Sequence, residues 1–295
     1  MSGRRFMRRS VLAALGAASI AGCLDSGGTE TVSEEQSGDG PAGDWNLVVE
    51  EDWTSFDTDR WGIGFIDRED WIPDDDATVS ADHVFIEDET CVLEIESNGT
   101  GPDGCFQGTI NSSVGSEDHH PPVGIPIDPS PGQYIEARLK LPGRVGVLPA
   151  FWMHPANTYW PPEIDIVELF QRGDGSLEEQ QHLHTDVHWS TAGEPNNRDT
   201  HEHAPVSLDV GMDLTAGYNR YGCAWFEDRI EWYFNGDHTR ELTSPSALFQ
   251  TLTDPEARPF GLIVSNHVNR IGEADLNTAW TEQLRIDWIH VWERQ

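Results

Sequence analysis

The sequence has only one lysine, Lys140, and only four cysteines among its 295 residues. Its 18 basic residues stand against 52 acidic ones, so the formal net charge is −34 at pH 7. A chain with this charge repels the phosphates of nucleic acids and anionic membrane surfaces, which excludes nucleic acid as a partner. Long amphipathic helical patterns are also missing, and their absence excludes a mainly helical fold.

The acidic residues are distributed along the whole chain and do not form a local tail. Repulsion among so many carboxylates is screened when the ionic strength is very high. Soluble proteins usually mix charges of both signs on their surface, and this sequence has too few basic residues to do so. We therefore expect a halophilic protein; the alternative is an ordinary acidic exported protein.

Residues 1–22 are typical of an export signal, with four arginines and no acidic residue. Arg8-Arg9-Ser10-Val11-Leu12 is typical of a twin-arginine signal, and the apolar stretch after it is too short for a stable transmembrane helix. Ile20-Ala21-Gly22-Cys23 resembles the lipobox of bacterial and archaeal lipoproteins, which implies cleavage before Cys23 and a lipid on its sulfur. We expect an exported protein of the haloarchaeal type, held by lipid at the outer face of the cytoplasmic membrane. A plain secretory signal with an incidental cysteine is the alternative.

Residues 23–43 consist mainly of Gly, Ser, Glu, Asp and Thr without apolar periodicity, so we expect a disordered tether. Residues 44–295 suffice for one domain with a substantial core, which we expect to be monomeric. Within this domain Cys91 and Cys105 flank the turn-forming Asn98-Gly99 almost symmetrically, and an oxidising exterior would permit a disulfide between them. The sequence leaves that disulfide open.

Short segments of alternating polarity, separated by turn residues, follow one another through the domain, as in residues 92–96 and 134–141. Asn235-Gly236 directly after such a segment is a strong hairpin signal. The one candidate helix covers residues 244–250. This spacing predicts an all-β fold, a two-sheet antiparallel β-sandwich of the jelly-roll type. A β-propeller would need a repeat of fixed period, which the sequence lacks.

The segment Glu163-Ile164-Asp165-Ile166-Val167-Glu168 places three carboxylates in an otherwise apolar strand. Side chains alternate between the two faces of a strand, so Glu163 and Asp165 share one face. Glu168 would face the core of a regular strand, and one extra residue near Ile166-Val167, a β-bulge, returns it to the face of the other two. The pattern therefore predicts a bulged strand that aligns the carboxylate triplet (Glu163, Asp165, Glu168).

Paired carboxyl groups are the machinery of retaining glycosidases, which use one as nucleophile and one as acid/base at a separation of roughly 5–5.5 Å. Neighbouring carboxylates cannot all ionise easily, so the triplet would share protons and keep one glutamic acid protonated near neutral pH. An acid catalyst requires such a proton. The triplet thus favours glycoside hydrolysis; solvated surface acids and calcium ligands of a lectin are the alternatives.

The same hexapeptide matches the E-x-D-x-x-E signature of glycoside hydrolase family 16, the laminarinases, agarases and carrageenases. Residues 134–142, 149–153 and 228–236 also resemble segments of that family, so the similarity covers most of residues 44–295. The resemblance implies a curved jelly roll with the substrate cleft across its concave sheet. It also implies an endo-acting, retaining β-glycosidase in which Glu163 is the nucleophile, Glu168 the acid/base and Asp165 their electrostatic helper.

The substrate stays open. A β-1,3-glucan is the expected polysaccharide, because the basic residues that a sulfated chain would need are scarce; galactans such as agar or carrageenan are the alternatives. The implied reaction requires no cofactor, and the family resemblance leaves a structural calcium ion open. A lectin-like carbohydrate-binding module and a transglycosylase acting on envelope glycans are the competing functions.

Polar residues two positions apart would share one face of the strand that follows the triplet; they are His182, His184, Asp186 and His188. We expect this strand to neighbour the catalytic one, with imidazoles donating hydrogen bonds to sugar hydroxyls and flat aromatic rings stacking on sugars. The expected substrate-binding residues are Trp152, Trp160, His184, His188, Trp189 and Asn266. The alternative for the histidines is a metal site, which His201 and His203 would extend.

Overall fold

The computed structural model describes residues 43–65, 75–113, 127–173 and 177–295. They all belong to one compact unit, Gly38–Gln295. The predicted signal peptide, Cys23 and the predicted tether up to residue 42 lie outside the described residues. Within the described ranges, no helix combines the length and the apolar character needed to cross a membrane.

Nearly all regular structure in the described residues is β-strand. The first nine strands are β1 (Trp45–Glu51), β2 (Gly62–Ile63), β3 (Thr78–Val79), β4 (Val84–Glu87), β5 (Thr90–Asn98), β6 (Cys105–Gln107), β7 (Ile110–Asn111), β8 (Gln133–Lys140) and β9 (Val147–Pro155). The others are β10 (Glu163–Glu168), β11 (His182–Ser190), β12 (His201–His203), β13 (Val206–Asp209), β14 (Asn219–Trp225), β15 (Ile230–Phe234), β16 (Asp237–Leu242), β17 (Phe260–Val268) and β18 (Ala279–Arg294).

Helices are few and short in the same ranges. Two are α-helical, α1 (Leu177–Gln180) and α2 (Ser246–Thr253). Single turns of 3-10 helix lie at Ala81–His83, Pro102–Gly104, Arg198–Thr200 and Pro255–Ala257.

The strands form two sheets. The order in the first sheet is β16-β15-β14-β8-β18-β5-β6-β3, with β1 also paired to β18 and β4 to β5. The order in the second sheet is β12-β11-β10-β9-β17-β7-β2, with β13 also paired to β11. Paired strands run antiparallel except β3 and β6. The predicted all-β, two-sheet antiparallel architecture is confirmed.

The main hydrophobic core combines inward-facing residues of both sheets. On β9, Phe151 and Met153 belong to this core, together with Ile135 of β8 in the other sheet. Ala150 and Trp152, which alternate with them, face the other way and form a separate cluster. Burying one large apolar side chain stabilises the fold by about 1.5–3 kcal/mol. The alternation thus leaves the outer face of the second sheet available for polar chemistry.

The predicted hairpin at Asn235-Gly236 is present between β15 and β16. Both residues have positive φ, 51° and 87°, as a two-residue hairpin turn of the I′ type requires. The predicted helix at 244–250 begins later, because α2 covers Ser246–Thr253. Its buried face carries Leu248 and Leu252 into the main core.

The disulfide considered between Cys91 and Cys105 is absent, since both are free and buried. In the register of β5 with β6, Cys105 lies opposite Ser97. Cys91 lies at the other end of β5, opposite Ile86 of β4. The symmetric spacing of the two cysteines around the turn therefore does not bring them together, because β6 pairs only with the last part of β5.

Candidate active site

The carboxylate triplet lies on β10, and this strand carries the predicted bulge. On β9, Trp152 lies opposite Asp165 and Phe151 opposite Val167, so Ile166 is the extra residue. The register with β11 shifts at the same place, between Asp165 and Glu168. The triplet therefore lines one cavity, while the intervening Ile166 and Val167 belong to the main core.

A contact from the other sheet holds the bulge. Trp232 of β15 donates its indole N–H to the main-chain carbonyl of Asp165 over 3.0 Å. The guanidinium of Arg240 lies 4.2 Å from the centre of the Trp232 ring and donates to both the carbonyl and the hydroxyl of Thr185 on β11. A bulge leaves a backbone group without a partner in the sheet, and here a buried tryptophan supplies one.

Strand β11 lies beside β10, as the sequence predicts. Its residues opposite Glu163, Asp165 and Glu168 are His188, Asp186 and His184, respectively. The Nε2 atom of His188 lies 3.6 Å from Glu163 Oε1 and 3.5 Å from Asp165 Oδ2. One imidazole therefore contacts two members of the triplet.

The triplet opens into a cavity of about 410 Å³ on the outer face of the second sheet. This volume is within the range of small-molecule sites. Besides the triplet, the lining comprises Leu148, Ala150, Trp152, Trp160, Phe170, Asp186, His188, Arg198, His203, His267, Arg270 and Ile271. Aromatic rings and carboxylates thus line the same cavity.

Burial changes the protonation of the triplet. Together with the negative charge of Asp165, it raises the pKa of Glu163 to about 8. Burial and the charge of the same aspartate raise the pKa of Glu168 to about 8. Burial and the charge of Asp186 raise the pKa of Asp165 well above its ordinary value. Near pH 7 Glu163 and Glu168 together therefore bind more protons than a fully exposed pair of carboxyl groups would.

Three of the six expected substrate-binding residues line the cavity: Trp152, Trp160 and His188. The Trp160 ring centre lies 4.4 Å from that of His201 and 5.6 Å from that of His188. His184 instead packs on Phe170, with ring centres 4.2 Å apart. Burial and the nearby Arg172 lower the pKa of His184 to about 4, so its ring is neutral near pH 7.

The structure places Trp189 and Asn266, both expected in the cleft, away from the cavity. Trp189 alternates with His188 on β11, so it faces the main core when His188 faces the cavity. Asn266 is fully buried, and its amide lies 3.4 Å from the carbonyl of Leu93 in the other sheet. Neither residue lines the cavity.

The sequence analysis did not predict a row of hydrogen-bonded side chains that lies beside the triplet. Asp75 Oδ2 lies 3.0 Å from His267 Nδ1, and His267 Nε2 lies 3.2 Å from the hydroxyl of Ser265. The same hydroxyl accepts the indole N–H of Trp152 over 3.0 Å. The row fixes the Trp152 ring in the cavity wall. On β17, the residues that take part in this row are thus Ser265 and His267, which directly precede and follow the predicted Asn266.

Residues 132–290 match the family model described as glycosyl hydrolases family 16. Among curated proteins, the chain is 34% identical over 157 residues to the endo-1,3-1,4-beta-glycanase ExsH of Rhizobium meliloti (strain 1021), covering 53% of this chain and 29% of that protein. It is 27% identical over 173 residues to the glucan endo-1,3-beta-glucosidase A1 of Niallia circulans, covering 55% of this chain and 24% of that protein. The chain thus spans less than a third of the length of these two relatives.

Solved structures share the fold. The laminarinase catalytic domain of Thermotoga maritima superposes with a TM-score of 0.65 at 22% identity, over 85% of this chain and 99% of that one. A family 16 mixed-linkage glucan enzyme of Bacteroides ovatus, in complex with a glucan product, gives a TM-score of 0.65 at 21% identity, over 82% of this chain and 99% of that one. The jelly-roll type of the sandwich is confirmed by these matches.

Proposed function

The chain belongs to glycosyl hydrolases family 16, and on that basis we propose that it is an endo-acting glycoside hydrolase that cleaves a β-glucan with retention of configuration. The observation that carries the proposal is the convergence of Glu163, Asp165 and Glu168 in one cavity, on a strand bulged between them. Retaining hydrolysis needs two carboxyl groups on one side of the sugar, one ionised and one protonated.

In the proposed double displacement, Glu163 attacks the anomeric carbon while Glu168 protonates the leaving oxygen. Glu168 then removes a proton from water, which releases the glycosyl group from Glu163. A raised pKa suits Glu168 because an acid catalyst must keep its proton near neutral pH. Asp165 and His188 adjust the charge around Glu163, and the reaction requires no cofactor.

Stacking positions sugars against these groups. Trp152 and Trp160 both line the cavity, and the Trp152 ring is held in place by its hydrogen bond to Ser265. We propose that these two rings stack on pyranose units and that His188 donates to a sugar hydroxyl. His184 lies behind Phe170 and supports this wall without lining it.

The preferred substrate of the proposal is a neutral β-1,3-glucan. One curated relative is named an endo-1,3-1,4-beta-glycanase and the other a glucan endo-1,3-beta-glucosidase, so both names refer to β-1,3 linkages and the second also to a glucan. The cavity lining contains two arginines, Arg198 and Arg270, against the triplet and Asp186, so it does not favour a sulfated chain. Cleavage of agar or carrageenan is an alternative result of the test described below. Transfer of the glycosyl group to a sugar acceptor is another. Retention of configuration and chain-internal cleavage are also part of the proposal.

We further propose that a monomeric protein acts outside the cell, anchored through lipid on Cys23. The lipobox-like sequence before Cys23 and the arginine-rich start of the chain support this location. An external polysaccharide is too large to enter a cell, which fits an enzyme held at the cell surface.

The test is reducing-sugar release from laminarin, lichenan, agarose and carrageenan in near-saturated NaCl. We expect release from laminarin, with the β-anomer formed first in proton NMR, and a rate reduced by more than about 10³-fold in Glu163→Gln. Glu241→Gln, an exposed glutamate on β16, is the matched control and should keep wild-type activity. If no glycan is cleaved while wild type and Glu163→Gln both bind it, the lectin-like function replaces this proposal.

A further inference from the structure

A second group of chemically active side chains lies at the edge of the cavity. In the antiparallel register of β11 with β12, His188 lies directly opposite His203. Asp186 precedes His188 by two residues and therefore shares its strand face. All three residues line the cavity. We call them the histidine–aspartate cluster (Asp186, His188, His203).

The donor atoms of this cluster converge. Asp186 Oδ2 lies 2.8 Å from His203 Nδ1 and 3.6 Å from His188 Nε2. One ligand atom from each of the three residues lies within 4.8 Å of the other two. In a tetrahedral zinc site with bonds of about 2.0–2.1 Å, ligand atoms are roughly 3.4 Å apart. Small side-chain rotations would therefore bring these three atoms to one ion.

Outer hydrogen bonds already orient two of the three ligands. The second oxygen of Asp186 accepts the main-chain N–H of Val187 over 2.7 Å, which directs Oδ2 towards the histidines. His188 Nδ1 lies 2.9 Å from His201 Nε2. If His188 Nδ1 donates this bond, its Nε2 carries the lone pair that a metal ion needs. Such outer-shell partners are typical of metal-binding histidines.

A carboxylate of the triplet lies next to one ligand of this cluster. Asp165 Oδ2 lies 3.5 Å from His188 Nε2, and both residues line the cavity. This oxygen is buried and forms no hydrogen bond within the described residues, and the side chain is only 5% exposed. It is therefore a buried acceptor beside the ligand atom of His188, where it groups with Glu163 and not with Asp186 and His203.

We propose that Asp186, His188 and His203 bind one divalent transition-metal ion of the zinc or copper type in the cavity, with water as the fourth ligand. Imidazole nitrogens favour these ions over Ca²⁺ and Mg²⁺, which prefer oxygen ligands. The bound ion engages His188, which contacts Glu163 and Asp165 of the triplet and serves the proposed hydrolysis. Zinc is thus a reversible inhibitor, and only this inhibitory effect rests on the proposed function.

The decisive experiment is calorimetric titration of ZnCl₂ into purified, EDTA-dialysed protein in high-salt buffer. We expect one Zn²⁺ per chain in wild type and an affinity at least tenfold lower in His203→Ala. His238→Ala removes an exposed histidine on β16 and is the matched control, with wild-type affinity expected. Circular dichroism checks that each variant is folded, and Ca²⁺ and Mg²⁺ should not compete for the site.

Four-coordinate binding has its own signature, because Co²⁺ bound in place of zinc should give intense visible absorption in wild type and not in His203→Ala. In the laminarin assay, zinc should inhibit wild type more than tenfold more strongly than His203→Ala. Equal zinc affinity in wild type and His203→Ala, or no binding to wild type, overturns the site. If zinc binds as expected and no glycan is cleaved, the metal site stands and the proposed hydrolysis falls.

Discussion

The protonation of Glu163 and Glu168 determines how the proposed reaction depends on pH. As the pH falls through the pKa of Glu163, about 8, the nucleophile becomes protonated and activity is lost. As the pH rises through the pKa of Glu168, also about 8, the acid loses its proton. Because the two groups titrate together, their apparent pKa values separate. We expect a bell-shaped plot of kcat/KM against pH that is centred near roughly pH 8.

This profile is measured from pH 4 to pH 10 and compared with that of Glu168→Gln. With an aryl glycoside whose leaving group needs no proton, the alkaline limb should disappear in the variant. Its acidic limb should move to lower pH, because the charge of Glu168 contributes to the raised pKa of Glu163. A wild-type acidic limb near the ordinary glutamate pKa of 4.5 contradicts the prediction.

Burial of Glu163 also affects stability, and the sign can be derived. Its pKa is about 8 in the folded protein against an ordinary value of 4.5, so the folded state binds more protons between these pH values. The free energy of unfolding therefore decreases as the pH rises through this window. Glu163→Gln removes the ionisation, and we expect its Tm to exceed that of wild type at pH 8, by roughly 2–4 °C for each kcal/mol.

The gain should vanish near pH 4, where the Glu163 carboxyl is protonated in the folded state and largely so in the unfolded one. Scanning calorimetry at both pH values measures it, provided that unfolding is reversible. A gain of the same size at pH 4 and pH 8 would show that Glu163 destabilises the fold through packing and not through its charge.

Among the elements, β10 depends on a donor in the opposite sheet. Trp232→Phe keeps an aromatic ring and removes the N–H that donates to the carbonyl of Asp165. An unpaired buried carbonyl costs about 1–3 kcal/mol, and the bulge would relax. We expect kcat to fall by about 10–100-fold with KM nearly unchanged, because the triplet moves while Trp152 and Trp160 stay in place. Steady-state kinetics on laminarin measures both.

Trp225→Phe is the control for lost packing. Trp225 of β14 is also fully buried in the first sheet, and its indole N–H forms no hydrogen bond within the described residues. The control should leave kcat and the acidic limb of the pH profile unchanged, whereas Trp232→Phe should shift that limb. If both variants lose kcat in proportion to their loss of stability, Trp232 acts only through packing.

The structure of β10 could be predicted because its sequence violates strand alternation in one place. Only a bulge puts Glu168 beside Asp165 and keeps Leu169 buried, and the register shows that bulge. The same alternation of side chains puts Trp189 on the strand face opposite His188, so the sequence could have assigned only one of the two to the cleft. Strand alternation is therefore informative only when it is applied to every residue of the strand.

Other features were beyond the sequence. Every residue of β17 is buried, so polar and apolar residues do not alternate along this strand. The sequence therefore does not indicate that Ser265 and His267, and not Asn266, are on the side of the cleft. The pairing partners of Cys91 depend on β4, which no local spacing reveals. Trp232 reaches Asp165 across the core, a contact between residues distant in sequence. Two kinds of feature can therefore be known only from the three-dimensional structure. They are the contacts between sheets and, in a fully buried strand, the face to which each side chain points.

At the scale of the whole molecule, the excess of carboxylates dominates. With 18 basic and 52 acidic residues, most acids have no cation to pair with, whatever the arrangement of the surface. In dilute buffer their repulsion acts over about 10 Å or more, and at 1 M salt it is screened within about 3 Å. The unfolded chain spreads the same charges further apart, so low salt favours unfolding.

We therefore propose that the folded protein requires molar salt, and we expect its Tm to rise steeply between 0.2 and 4 M NaCl at constant pH. Sucrose favours compact states without screening charge, so it should not replace the salt. Replacing exposed acids far from the cavity, Asp82, Asp237 and Glu241, by their amides should lower the salt concentration at which the protein folds. Full stability of wild type in dilute buffer would contradict the halophilic interpretation, because the repulsion among its carboxylates would then be too weak to matter.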